Sequence, residues 1–461
     1  MSGERAWAAA LRAACERPAE TAAAWRARGG QVVGLLGWSA PRELVTAAGL
    51  LPVRLSPERL ARRDPGWGSG LHGGFWAASA GFGRELTPAT AALAAGLVSG
   101  ALDWIDFLLI GRDREDYTRL FYLLREVRRS GAVPGLVPVA FFDLLRLPSR
   151  TSARYNRQRA AELVAVIAGW AGRPVTPADL AGAVEAAGGT ARSFRAIQEL
   201  RTRPRPGISG TDALAAAIAA RVLPAGELRP LLDAMLDVGA ADAAGPWALG
   251  GDAVLLPVVP GSAAPGPGVP GQAAPAARVF LAGSAVDDLA AYQAVEDLGL
   301  TIVGEDHEWG DDGSEYPRVT RDPLDGIVDR YQLAHGSAAR AGLRDRVERT
   351  IDRVRAAGAD GVLYLLGAHD EAVGWELPAL REQLGGVPLI PVRPHAPVRP
   401  DEIPGDPHQA DRWPAGDGDW PELLEAGRRL LAELGAVDAG SGAGLAGGAG
   451  LAGGAGVAGR G

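Results

Sequence analysis

Three of the six histidines, His307, His369 and His395, each fall just after a predicted strand of the C-terminal half, in company with Glu305, Asp306, Glu308 and Asp370. Imidazoles and carboxylates on neighbouring loops are the donor set of zinc or ferrous iron, and the same groups serve as general acids and bases. If those strands are parallel, the loops at their carboxyl ends converge on one rim and bring the histidines together. His307, Glu308, His369 and Asp370 are therefore the candidate catalytic residues. The plainer reading is three loop histidines satisfied by local hydrogen bonds.

The N-terminal half offers binding groups instead. Trp38, Ser39 and Glu43 fall between a predicted strand and a helix that opens at Pro41. A helix N-terminus there can receive a phosphate or a carbonyl oxygen; alternatively Ser39 simply caps the helix. Arg112 and Arg114 follow the strand Phe107–Ile110 and could hold phosphates or a carboxylate, or else pair with Asp113, Glu115 and Asp116. Trp67, Phe75 and Trp76 in a Gly-rich stretch could line a pocket or plug the edge of a core.

Thiol chemistry is nearly absent. Cys15 is the single cysteine, set in an Ala-rich helical pattern that suits a packed, inert thiol. One cysteine excludes an internal disulfide and any site built from several thiolates of this chain. The balance of 47 basic against 55 acidic residues gives a net charge of −8, which offers nucleic acid or an anionic membrane no electrostatic hold. No apolar run approaches the ~18 residues of a spanning helix. The charged start, with Glu4, Arg5, Arg12, Glu16 and Arg17, lacks the apolar core of a secretory signal. These features predict a cytoplasmic protein.

The elements that must position these residues alternate. Val32–Leu36, Pro52–Leu55, Phe107–Ile110 and Val137–Phe142 read as short buried strands, with helices at Arg42–Ala48, Ala89–Gly100 and Asp116–Ser130. Apolar strands separated by helices imply a parallel sheet covered on both faces. Helical periodicity then runs from about Ser152 to Asp242, with helices expected at Ala160–Trp170, Pro177–Ala187, Thr190–Arg201 and Thr211–Ala220. A second set of strands follows at Arg278–Ala282, Leu300–Gly304, Gly361–Leu366 and Pro388–Val392, with helices at Asp287–Asp297, Pro323–Gln332, Leu343–Ala357, Glu376–Leu384 and Pro421–Leu434.

The fold expected is α/β, two Rossmann- or flavodoxin-like lobes with parallel sheets and a helical segment between them. The boundaries read as a helical arm over residues 1–30, a first lobe over 31–150, a helical segment over 151–256, a Pro/Gly/Ala linker over 257–276, a second lobe over 277–435 and a disordered Gly/Ala tail over 436–461. The linker contains Gly266-Pro-Gly268-Val-Pro-Gly271, a formal dinucleotide fingerprint, but its prolines forbid the helix that would cradle a pyrophosphate. The tail repeats a six-residue unit three times, from Gly442, Gly448 and Gly454, and matches the same fingerprint by accident.

Beyond composition, the segment VGLLGWSAPRELVTAAGLLPVRL, Val33–Leu55, resembles the opening of subunits in the 2-hydroxyacyl-CoA dehydratase family, whose relatives include benzoyl-CoA reductase subunits. LDWIDFLLI at Leu102–Ile110, Ile208-Ser209-Gly210, Asp322-Pro323-Leu324 with Arg330-Tyr331, and Gly358-Ala-Asp360-Gly361-Val362 resemble later stretches of that family in order. The resemblance implies that the first strand-to-helix loop, with Trp38, Ser39 and Glu43, faces an acyl-CoA thioester, that the pocket lies between the lobes, and that subunits work in pairs. It also implies an iron–sulfur cluster on three cysteines, through which one electron makes a ketyl radical that expels a hydroxyl group. Here those positions fall near Thr87, at Arg114 and at His369, and a further cysteine of the family is replaced around Glu308. Soft thiolates hold such clusters, whereas a guanidinium repels metal. No cluster of the chain's own and no other cofactor is therefore expected, and no metal.

Two functions follow. One is a dehydratase-like subunit without its own cluster, a pseudoenzyme in the limit, that binds an acyl-CoA thioester or serves a homologous subunit or a second copy of itself as non-redox partner. The other is an enzyme with replaced chemistry at the His/carboxylate set. Any retained activity of the family kind would be that of a lyase.

Overall fold

The computed structural model describes residues 5–63, 86–244, 277–310, 322–333, 342–367, 370–393 and 420–435. The loop with Trp67, Phe75 and Trp76, the linker over 257–276, His369, His395 and the tail over 436–461 lie outside the described residues.

In chain order the N-terminal arm holds α1 (Ala6–Glu16) and α2 (Pro18–Ala27). The first lobe follows with β1 (Val32–Leu36), α3 (Arg42–Ala47), β2 (Leu51–Arg54), α4 (Pro57–Arg63), α5 (Pro88–Ser99), β3 (Phe107–Gly111), α6 (Glu115–Ser130) and β4 (Val139–Phe142). Four helices come next, α7 (Arg150–Ala171), α8 (Pro177–Thr202), α9 (Gly210–Ala219) and α10 (Ala225–Ala244). The second lobe runs through β5 (Arg278–Gly283), α11 (Leu289–Asp297), β6 (Thr301–Asp306), α12 (Pro323–Leu333), α13 (Leu343–Ala357), β7 (Gly361–Leu365), α14 (Glu371–Gly374), α15 (Leu377–Gln383), β8 (Leu389–Val392) and α16 (Pro421–Glu433).

Each lobe holds a four-stranded parallel sheet of one topology, β2-β1-β3-β4 in the first and β6-β5-β7-β8 in the second. All the predicted strands form, because unbroken apolar runs suit strands covered on both faces. Alternate residues feed opposite faces. Val32, Leu36, Leu108 and Ile110 pack under α5 and α6, while Val33, Leu35 and Leu109 pack against α3, α7 and α8. In the second sheet Val279, Leu281, Ile302 and Leu363 join a core built with α1, α9 and α16; Phe280, Val303, Val362 and Tyr364 face α13 and α15.

Three differences from the sequence reading bear on the site. Pro177–Ala187 and Thr190–Arg201 form one helix, α8, running through Gly188 and Gly189. Two glycines cost a helix about 2 kcal/mol, and burial of Val184, Phe194, Ile197 and Leu200 along the same helix outweighs that. An additional helix, α4, starts at Pro57, where the Arg59 amide donates to the Ser56 hydroxyl at 3.1 Å. Finally, α12 follows β6 in sequence yet places Ile327, Val328 and Tyr331 in the core of the first lobe. The arm and the central helices cover the second sheet in return. The lobes thus trade cover, and the cleft between them is held from both sides.

Candidate functional site

The first sheet reverses strand order between β1 and β3, the place where open α/β sheets leave a crevice. The chain leaves β1 through Gly37, at φ +81°, where an added Cβ would collide with the Asp113 carboxylate. A Cβ on Gly111, at the end of β3, would strike the Ser39 hydroxyl. Glycine at both positions lets the two loops close on each other. Asp113 is the fastener: it accepts the Ser39 amide at 2.9 Å and the Ser39 hydroxyl at 3.1 Å through one oxygen, and Arg146 at 2.6 Å through the other. Ser39 is fully buried, and α3 has no side-chain cap.

Glu43, one residue into α3, is buried and bound by two groups of α12, the Arg330 guanidinium and the Tyr331 hydroxyl, which donates at 2.7 Å. Burial, then the adjacent Glu43 charge, lifts the Tyr331 phenol above its ordinary range. Trp38 lies under the guanidiniums of Arg54 and Arg221, 4.4 and 4.6 Å from its ring centroid, and meets Trp309 of the second lobe edge-on at 5.6 Å. Trp38 and Glu43 thus both face groups contributed by the rest of the chain.

A second constellation sits beside α5 and α6. Thr87 caps α5, accepting the Thr90 amide at 3.3 Å. Its hydroxyl donates to Asp116 at 2.8 Å, and the Thr90 hydroxyl reaches the same oxygen at 2.6 Å. Arg114 bonds Asp116 from Nε at 3.2 Å, reaches Glu58 at 3.5 Å and lies over the Tyr117 ring at 5.3 Å. Burial alone would pull the Arg114 guanidinium down, but Tyr117, Asp116, Glu58 and Glu308 together hold it above its ordinary value. Burial raises the Glu58 carboxyl, opposed by Arg114 and reinforced by Asp287 and Glu308. Two of the positions singled out by the resemblance, Thr87 and Arg114, are therefore neighbours joined through Asp116. Arg112 is placed apart, exposed and paired with Asp143 at 2.8 Å.

The described second-lobe candidates each take a different partner. His307 is buried with Nε2 2.6 Å from the Tyr292 hydroxyl, while its Nδ1 has no hydrogen-bond partner among the described residues. Burial lowers its pKa to about 4 against the opposing pull of Glu305 and Asp306. The ring is neutral at physiological pH. Glu305 forms a buried pair with Arg201 at 2.6 Å, and Asp306 accepts from Thr350 at 2.6 Å. Asp370 accepts the Ser284 hydroxyl at 3.0 Å. His307 follows β6 directly, whereas Asp370 lies beyond β7, just before α14, and reaches back to Ser284 after β5. Glu308 turns its field on Glu58 and Arg114 instead. Among the described residues no group of three His, Cys, Asp or Glu side chains could hold a metal ion.

A thiolate-held cluster does not fit the donors present. Cys15 is the one cysteine, it donates its S–H to the Ala215 carbonyl at 3.2 Å, and burial pushes its pKa to about 12. A protonated, buried thiol is neither ligand nor nucleophile. Thr87 and Arg114 bring a hydroxyl and a cation where soft sulfur would be needed.

Sequence reasoning passed over Glu58, Thr90 and Arg221. The signal for Glu58 was Ser56-Pro57-Glu58, an N-cap serine, a first-turn proline and an acid beside the helix N-terminus. Nothing local marks Arg221, whose role is tertiary.

Among the described residues no helix is long and apolar enough to cross a membrane. Comparison with curated proteins finds no match. Residues 37–392 match the model of the family described as 2-hydroxyglutaryl-CoA dehydratase, D-component, a span that takes in the first lobe after β1, the central helices and the second sheet. The chain belongs to the 2-hydroxyglutaryl-CoA dehydratase D-component family.

Proposed function

We propose that this chain is a non-redox subunit of the dehydratase type, which binds an acyl-CoA-type thioester between its lobes and works beside a homologous subunit. Supporting this reading is the network at Thr87, Thr90, Asp116, Arg114 and Glu58, in which hydroxyls, carboxylates and one guanidinium bind each other, with Thr87 and Arg114 at two of the positions where the family resemblance expects thiolates. Each polar group there has a partner suited to holding position. Electron storage is absent from such a set, whereas recognition of an anionic or carbonyl-bearing ligand survives in it. Arg114 is the residue assigned to the thioester's anionic portion. Trp38 and Glu43 hold the wall of the crevice, and Ser39 keeps the β1–α3 loop shut through Asp113.

The test is a thermal-shift and calorimetric titration of the full chain with a panel of CoA thioesters. Binding that is lost in Arg114→Ala, with the unliganded fold retained, is the expected result. No binding by any thioester, or identical binding in the variant, removes the reading. Co-purification with a homologous subunit tests the partner role separately.

A further inference from the structure

A pocket of about 260 Å³ lies behind the crevice and shares its Trp38 and Glu43 wall. It follows the edge of β2, which among the described residues pairs with β1 alone in the sheet and gives its Arg54 amide to the Arg221 carbonyl at 3.0 Å. Leu50 and Pro52 line one wall, and Ala183, Ala186, Ala187 and Phe194 of α8 line the other. Small side chains on that face of α8 leave the space. Proline at the strand edge offers no N–H toward it, and apart from the Thr46 and Thr190 hydroxyls the body of the pocket is mainly apolar.

One end differs sharply. Arg42, Arg54, Arg221 and Arg330 all line it, together with Trp38 and Glu43. Arg54 and Arg221 are 8% and 7% exposed, and both lie against the Trp38 indole. Main-chain carbonyls fix their orientation: Arg54 donates to Gly37 and Arg221 to Ala217, while Arg42 donates to Ala220 at 2.7 Å. A guanidinium is a rigid planar fork of five donors that matches a carboxylate in two parallel bonds. Desolvation beside an indole strengthens that interaction relative to water. An apolar slot ending in anchored guanidiniums is complementary to a molecule with a hydrocarbon body and one planar anionic head.

We propose that this pocket is a binding site for a small amphiphilic monocarboxylate, taken as the free acid anion. Its volume falls below the ~300–1,000 Å³ of drug-sized sites, so the nucleotide of a CoA ester does not fit within it. The carboxylate sits at Arg54 and Arg221 against Trp38, and the hydrocarbon extends along β2 toward Ala187. The site shares the Trp38 and Glu43 wall with the thioester reading, but its ligand contacts, Arg54 and Arg221, are not those that reading assigns.

Isothermal titration of the full chain with hexanoate and with 3-phenylpropanoate tests it, with hexanamide as the neutral control. The expected result is a 1:1 complex with a Kd of about 1 mM or tighter for at least one acid, at least ~10-fold weaker for hexanamide. Ala187→Phe, which fills the apolar end far from the arginines, is expected to weaken acid binding by at least ~10-fold, as is Arg221→Met. Absence of heat with both acids, equal affinity for amide and acid, or unchanged binding in Ala187→Phe would each overturn the proposal. Binding of CoA thioesters is scored separately through Arg114, so the two readings fail independently.

Discussion

The Thr87 hydroxyl lies 2.8 Å from the Asp116 carboxylate, on the residue whose other oxygen receives Arg114 at 3.2 Å. Positions far apart in the sequence thus meet on one acid, and that acid ties the cap of α5 to the start of α6. The arrangement accounts for why a cation stands between β3 and α6 without disrupting the fold: Asp116, Glu58 and Glu308 supply the opposing charge.

Arg114→Met would leave Asp116 and Glu58 facing each other without their cation. Breaking a buried pair on one side costs about 3–5 kcal/mol; with Arg114 31% exposed, the expected loss is smaller, about 1–3 kcal/mol in urea unfolding. A double variant that also carries Asp116→Asn should recover part of it. Equal stability of wild type and Arg114→Met would show that the network contributes nothing.

Asp113 carries three bonds with its carboxylate only 2% exposed. Asp113→Ala strands a buried amide and a hydroxyl and removes one partner of Arg146, and should cost about 3 kcal/mol, while Ser39→Ala should cost about 1 kcal/mol. Chemical denaturation of both variants gives the ranking; the reverse order would contradict the role of Asp113 as the fastener.

Tyr331→Phe removes the hydroxyl that donates to buried Glu43. A hydrogen bond to a charged acceptor contributes about 1.5–3 kcal/mol, and loss on that scale is expected. Because α12 covers the first lobe, limited proteolysis should also speed up near Pro323–Leu333. Unchanged cleavage would indicate that this contact does not hold the helix in place.

His307 makes stability pH-dependent. Its folded pKa, about 4, lies below the ordinary value of 6.5, so between those values the unfolded chain binds the extra proton. The contribution is complete above about pH 6.5 and is lost as pH falls toward 4, amounting to roughly 3 kcal/mol. Equilibrium unfolding from pH 7 to 4 should show this slope, and His307→Gln should flatten it. An unaltered slope in the variant would assign the titration to other groups.

Much of the architecture was legible in the sequence because the strands are buried on both faces and therefore read as plain apolar runs, as at Val32–Leu36 and Gly361–Leu365. Partnership between helices and sheets was not. α12 has the amphipathic pattern of a lobe-two helix, and no local feature states that Ile327 and Tyr331 cover lobe one. The same limit applies at the site. A rim shared by His307 and Asp370 followed from parallel strands, but the partner each one takes, Tyr292 for His307 and Ser284 for Asp370, did not. Burial of His307 against Tyr292 depends on how α11 lies on the sheet, which chain order leaves open. The juxtaposition of Thr87 with Arg114 came from the resemblance, and Glu58 was signalled only by a helix start at Ser56-Pro57.

A subunit whose sole thiol is a buried donor to Ala215 should carry no thiolate-held iron–sulfur centre of its own. Anaerobic purification followed by iron and acid-labile sulfide analysis, read with the visible absorption spectrum, tests it most directly. The predicted result is substoichiometric iron and sulfide and no charge-transfer absorption. A brown protein with stoichiometric iron and sulfide in the isolated chain would contradict it.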